Sequence, residues 1–194
     1  MLERKYRIEG VAPLVMHNEQ LADPMNKWTR LLKEISKKVK KTDDDLLEMS
    51  RREWMGGLYF DPTLGPFVPE RCLERMLRNA AARSKRGKAI VSGLIVVDPA
   101  PLVYKGSREP DELWASGEFV LRATVGVDRK RIVRSRPIFR AWALEFTVNF
   151  DESLLDAKEI DAILDVAGRY EGLCDWRPKH GRFAIKAIDG KAVA

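Results

Sequence analysis

The chain has 194 residues, with 35 Lys and Arg against 29 Asp and Glu, a net charge of +6, 45% hydrophobic residues and 33% charged residues. That length and apolar content suffice for a hydrophobic core, and no apolar run approaches the ~20 residues that span a bilayer. Two cysteines (Cys72, Cys174) and two histidines (His17, His180) are too few for a disulfide framework and share no zinc-ligand spacing.

The first residues, Met1-Leu2-Glu3-Arg4-Lys5, lead into a half-polar stretch and not into the apolar segment of a secretory signal, so a cytoplasmic protein is expected. Tyr6 and Ile8 alternate with Arg7 and Glu9 as a half-buried strand, and Leu14-Val15-Met16 reads as a short apolar piece. Asp23-Pro24 opens a basic amphipathic helix with Trp28, Leu31, Leu32, Ile35 and Val39 at helical spacing. Thr42 and Asp45 form a capping-box pattern for a second helix that ends at Gly56-Gly57. Leu58-Tyr59-Phe60 and Phe67-Val68 read as two short strands around a Pro and Gly turn.

Pro69 opens the clearest helix, with Cys72, Leu73, Met76, Leu77, Ala80 and Ala81 on its apolar face. Ala89 to Val97 reads as a strand and Asp98 to Ser116 as mostly irregular. Phe119 to Val127 and Trp142 to Phe150 alternate strictly and predict two strands, paired antiparallel with the segment between them as a protruding connection. Asp156 with Glu159 opens a last helix, Gly168 to Gly181 is a loop, and Phe183 to Ile188 is a final strand.

The long elements run strand, helix, strand, strand, helix, strand. This predicts an α+β fold with a ferredoxin-like, RRM-like antiparallel sheet of βαββαβ order. Residues 1–194 would form a single domain, with 17–66 a mainly helical insertion, about 89–117 a second insertion, and 128–140 a basic hairpin arm.

That arm carries Arg129, Lys130, Arg131, Arg134, Arg136 and Arg140, and no acid lies between Asp128 and Glu145. Those six cations equal the whole net charge, so the excess is local. Concentrated arginine suits a phosphate backbone, through counterion release and forked hydrogen bonds. A solvated hairpin kept soluble by its charge is the alternative.

A second candidate is the loop from Gly172 to Gly181, continuing to Phe183, which sets Trp176 among Arg177, Lys179, His180 and Arg182; single strands are held by such aromatic and cationic groups. Equally, Trp176 could fill the core and Arg177 pair with Asp175. A third is the stripe of Arg71, Arg75 and Arg78 at i, i+4 and i+7, with Lys85, Arg86 and Lys88 beyond it, whose ordinary fate is a solvated face.

Enzyme signals are sparse. There is no phosphate-binding glycine motif and no His-Glu-x-x-His, so no catalytic residue, metal ligand or cofactor is assigned. Asp43, Asp44 and Asp45 could hold magnesium, but capping and the helix dipole explain three acids at a helix start.

Two stretches, Gly10 to His17 continuing to Pro24 and Gly172-Leu-Cys-Asp-Trp-Arg-Pro-Lys-His-Gly-Arg-Phe183, resemble a family of uncharacterised proteins of tailed bacteriophages and prophages. That resemblance covers nearly the whole chain and implies a bacterial host cell, without an activity. More distantly, the order of elements, the basic hairpin and the glycine-bracketed loop are similar to the RAMP superfamily of ferredoxin-like RNA-binding proteins, which includes the backbone subunits of CRISPR complexes. The likeness implies single-strand binding along a filament of subunits, with cleavage not implied.

These readings together predict a phage-encoded, largely sequence-independent single-stranded nucleic-acid-binding protein, for DNA more than RNA, with no membrane partner and with 17–66 as the subunit contact. One rival is a protein-interaction factor such as a host-defence (CRISPR) inhibitor or an assembly factor. A second rival is a metal-dependent nuclease using Asp43, Asp44, Asp45 or His180.

Overall fold

The computed structural model describes residues 1–127 and 130–193. In chain order its elements begin with β1 (Leu2–Gly10), β2 (Leu14–Val15), a 3-10 turn (Glu19–Ala22), α1 (Lys27–Ser36), α2 (Asp43–Gly57), β3 (Phe60–Asp61) and β4 (Gly65–Val68). There follow α3 (Glu70–Ala82), α4 (Gly87–Gly93), β5 (Leu94–Val96), β6 (Ala100–Val103) and α5 (Pro110–Ser116). The chain closes with β7 (Val120–Val127), β8 (Lys130–Phe139), β9 (Ala143–Phe150), α6 (Ala157–Val166), a π turn (Ala167–Glu171), β10 (Phe183–Ile188) and β11 (Lys191–Ala192). The chain is therefore mixed α+β, with antiparallel ladders. No helix among the described residues is long and apolar enough to cross a membrane.

The elements gather into two compact units, one of Met1–Leu14, Asp61–Lys105 and Phe139 onward, the other of Val15–Phe60 and Gly106–Ile138. In the first, an eight-stranded sheet runs β11-β10-β1-β9-β6-β4-β3, with β5 also paired to β9. Alternation places Leu144, Phe146, Val148 and Phe150 of β9 in the core, opposite Ile8, Tyr6, Arg4 and Leu2 of β1. Helices α3 and α6 cover that face, supplying Leu73, Met76, Leu77, Ile160 and Leu164, each fully buried.

A polar clamp fixes α6 to the sheet. Asp161 accepts two hydrogen bonds from the Arg4 guanidinium, at 2.8 and 2.6 Å, and one from the Tyr6 hydroxyl at 2.7 Å. Burial, and then the bond to Asp161, push the Tyr6 phenol well above its ordinary pKa.

Several sequence expectations change here. The Phe119 and Trp142 strands do not pair: both edges of β9 are occupied, by β1 on one side and by β5 and β6 end to end on the other. Strand β7 pairs instead with β8, from Val120↔Pro137 to Val127↔Lys130. Most of the segment read as a connection is thus itself a strand, in a separate sheet ordered β2-β8-β7. Residues 89–117 are not an insertion, because β5 and β6 within them are sheet strands.

Ile90 and Val91 read as strand by propensity but belong to α4, where packing of Ile90 in the core outweighs a weak preference. The first helix starts at its Asn26 cap rather than Asp23 and stops before Val39, which is 99% exposed.

In the second unit Trp54 is fully buried and its indole N–H donates to the Phe119 carbonyl at 2.8 Å. Pro137 has no N–H to give β2, yet its carbonyl accepts from the Met16 N–H at 2.9 Å. The α2 carboxylate of Glu53 lies against β8, accepting from the Ser135 N–H at 2.9 Å.

The tyrosine yields a pH prediction. A raised folded pKa means that the native state keeps a proton the unfolded chain sheds above about pH 10, so its contribution holds below that pH and is lost as pH rises. Denaturation midpoints followed from pH 7 to 11 should therefore fall less steeply for Tyr6→Phe than for wild type above about pH 10. Parallel curves would contradict the assignment.

Candidate nucleic-acid interface

The three sets of candidate cations meet different fates. In the arm, Arg129 lies outside the described residues and Lys130 is placed through its backbone pairing with Val127. Arg131 and Arg140 are exposed. Arg134 and Arg136 converge on one oxygen of Glu53, at 3.1 and 3.2 Å, and Arg136 is buried at 8% exposure. A buried guanidinium needs a counter-charge because desolvation otherwise penalises it by several kcal/mol. Glu53 supplies that charge, so these two arginines hold α2 to β8.

On α3 the cations point outward. Leu73, Met76, Leu77, Ala80 and Ala81 take the buried side, which leaves Arg71, Arg75 and Arg78 exposed. They line a groove of about 360 Å³ together with Glu74 and with Ile90 and Leu94 from α4 and β5. The Glu74 carboxylate accepts the Val96 N–H at 3.0 Å. Of the neighbouring cations, Arg86 is spent on Glu159 and the Leu154 carbonyl, and it holds the Glu159 carboxyl below its usual range. Lys85 and Lys88 are exposed.

The third set is built by the loop after α6. Its neck closes where the Leu173 N–H donates to the Gly181 carbonyl at 3.0 Å, with Leu173 fully buried and the Gly181 N–H donating to the Pro13 carbonyl at 2.8 Å. Gly172 and Gly181 both have φ of +72°, and a Cβ on either would overlap backbone of the opposite side of the neck. Cys174 and Trp176 also take left-handed φ, at +61° and +53°, and the Arg177-Pro178 bond is cis. Residues held in this sparsely populated region persist only where the surroundings fix them, and they concentrate at functional sites.

This loop faces the other flank of α3. Asn79 from the helix and Arg83 from its C-cap, Tyr170 and Glu171 from the π turn, and Trp176 and Arg177 from the loop line a concavity of about 540 Å³, with Cys174, Asp175 and Pro178 completing it. Arg83 pairs with Glu171 at 2.9 Å and lies 5.5 Å from the centre of the Tyr170 ring. Trp176 is half-buried and meets His180 edge to face at 5.8 Å. Lys179 and Arg182 are exposed, and Arg182 donates to the Pro178 carbonyl at 2.7 Å.

The Cys174 thiol is pushed well above its ordinary pKa by a hydrogen bond with Cys72 and by burial. It is therefore a protonated, packing thiol near neutrality rather than a thiolate nucleophile.

The α3 stripe and the Trp176 loop, distant in sequence, are thus brought to two flanks of one helix. Arg83 and Tyr170 belong to the same surface, and the sequence reading passed over both. Arg83 continues the polar side of α3 beyond Arg78, which was a usable signal. Tyr170 sits in a stretch read as loop, so no periodicity marked it. The acids Asp43 to Asp45 serve the start of α2: Asp45 closes the capping box with Thr42 and pairs with Lys38 at 2.6 Å. Among the described residues no group of three or more His, Cys, Asp and Glu is arranged to hold a metal ion. No family model matches the chain, and no curated protein matches it.

Two substitutions test the neck. Gly190 has a similar φ, +76°, but open space around it. Gly190→Ala should lose only the backbone cost of about 1–2 kcal/mol, whereas Gly181→Ala should lose clearly more in urea denaturation, because its Cβ has nowhere to go. Separately, Glu53→Gln leaves Arg136 buried without its counter-charge and should cost about 3–5 kcal/mol. A loss below 1 kcal/mol would remove Glu53 as an organising group.

Proposed function

We propose that the chain is a single-stranded nucleic-acid-binding protein, phage-encoded, acting largely without sequence preference and on DNA more than RNA. The observation that carries this reading is the α3 surface: Arg71, Arg75 and Arg78 exposed along one groove, with Tyr170 and Trp176 beside the next concavity. Cations that follow a backbone, next to aromatic rings that accept bases, form the combination by which single strands are gripped.

The sheet supports the same reading at the level of architecture. Its central strands run β10, β1, β9, then β5 with β6, all antiparallel, with α3 and α6 on one face. This order fits a ferredoxin-like core in which β5 and β6 together fill the second strand position. The opposite face carries Lys5, Arg7, Glu9 and Glu145, which pair with one another. Those charges cancel locally, so the strand is assigned to the helical side.

Each phosphate neutralised on a single strand contributes about 0.7 to the slope of log affinity against log salt. Fluorescence anisotropy of labelled single-stranded DNA, single-stranded RNA and duplex across a salt series should show single-strand binding that weakens steeply with salt. Replacing Arg71, Arg75 and Arg78 together by Ala should flatten the slope by about 2. Arg131→Ala, tested in parallel, measures the share of the β7–β8 hairpin. Absence of single-strand binding at low salt would overturn the proposal.

A further inference from the structure

The two hollows flanking α3 differ in charge, and the difference assigns them different parts of a strand. The groove is lined by three arginines and a single acid, Glu74, which keeps its charge while accepting the Val96 N–H, so among the lining residues cations outnumber acids three to one. In the other concavity, Arg83 pairs with Glu171 at 2.9 Å, and Arg177 and Asp175 both line the wall, so cations and acids are equal in number. A phosphate entering there would gain two cations and meet two carboxylates, so it has little reason to leave the groove.

What the second concavity does offer is aromatic surface and mixed polar edges. Tyr170 is 53% exposed, Trp176 is half-buried on the same wall, and Asn79 adds an amide whose oxygen accepts from the Arg78 guanidinium at 3.0 Å and whose NH2 is a donor. Its volume of about 540 Å³ leaves room for one planar heterocycle together with solvent. The rise of about 1.5 Å per helical residue puts Arg71 and Arg78 roughly 10 Å apart along α3, and Asn79 and Arg83 continue directly onto the second hollow.

Resting on the reading of α3 as the strand-binding face, we propose that the concavity between Asn79, Arg83, Tyr170 and Trp176 receives one unstacked nucleobase of the bound strand while the Arg71, Arg75 and Arg78 groove holds neighbouring phosphates. Stacking tolerates any base because each presents a π face. The closed Gly172–Gly181 neck holds the loop that carries Trp176, and His180 packs edge to face against the ring, which lowers the ordering cost of binding.

The test uses the full-length protein and oligodeoxythymidylates carrying 2-aminopurine at one successive position each, with anisotropy recorded on the same complexes. Stacking should quench 2-aminopurine, and Trp176→Ala should abolish that quenching while weakening binding roughly ten-fold at an unchanged salt slope. Trp176→Phe should restore most of both. Tyr170→Ala, outside the strained loop, should weaken binding in the same salt-independent way, so the test survives if Trp176→Ala fails to fold. Wild-type binding without quenching at any position, or quenching that persists in Trp176→Ala, would overturn the base site and leave the phosphate-binding reading standing. Failure of wild-type protein to bind the strand at all would remove both.

Discussion

Hydrogen bonding along both edges of β9 is the constraint on which the arrangement of this chain depends. With β1 registered from Leu2↔Phe150 to Glu9↔Ala143, and β5 and β6 sharing the opposite edge, β9 has no edge left for the strand that precedes it by one hairpin. Strand β7 must find another partner, and it closes on β8. The same saturation draws β5 and β6 into the centre of the sheet and leaves one face for α3 and α6. An unpaired backbone group buried away from water is costly enough that such edge accounting decides topology.

Arginine is put to two uses in this chain, separated by burial. Beside β8, Arg134 and Arg136 share the single negative charge of Glu53, and the same carboxylate accepts the Ser135 N–H. Charge buried in this way holds elements together. On α3 the apolar stripe is fully used against the core, so Arg71, Arg75 and Arg78 stay in water, where long-range attraction for a polyanion is retained. The amino-acid type is the same in both places, and the helix or strand face decides its role.

The loop from Gly172 to Gly181 shows how a rigid aromatic can be presented from an irregular segment. Two glycines permit backbone strands of the neck to approach more closely than any Cβ would allow, and Leu173 plugs the base. Beyond that neck the chain turns through left-handed Cys174 and Trp176 and delivers the indole to the flank of α3. Cys72 on α3 meets Cys174 on the loop, a further contact between the same two segments.

The sequence by itself determined the elements with strong local signals. The strict alternation of Phe119 to Val127 and Trp142 to Phe150, the Thr42–Asp45 capping box and the amphipathic period of α3 each appear in the structure, because they depend on side-chain spacing within one segment. The exposed side of Arg71, Arg75 and Arg78 was legible for the same reason, since burying one helix face fixes the other. Only the tertiary structure decided which strands pair, because edge occupancy depends on segments far apart in sequence. It also decided that Arg134 and Arg136 meet Glu53, some 80 residues earlier, and that Tyr170 and Trp176 share one hollow with Arg83. Local periodicity reports which face of an element is apolar, whereas the partner that covers the face, or answers its charge, is chosen by packing of the whole chain.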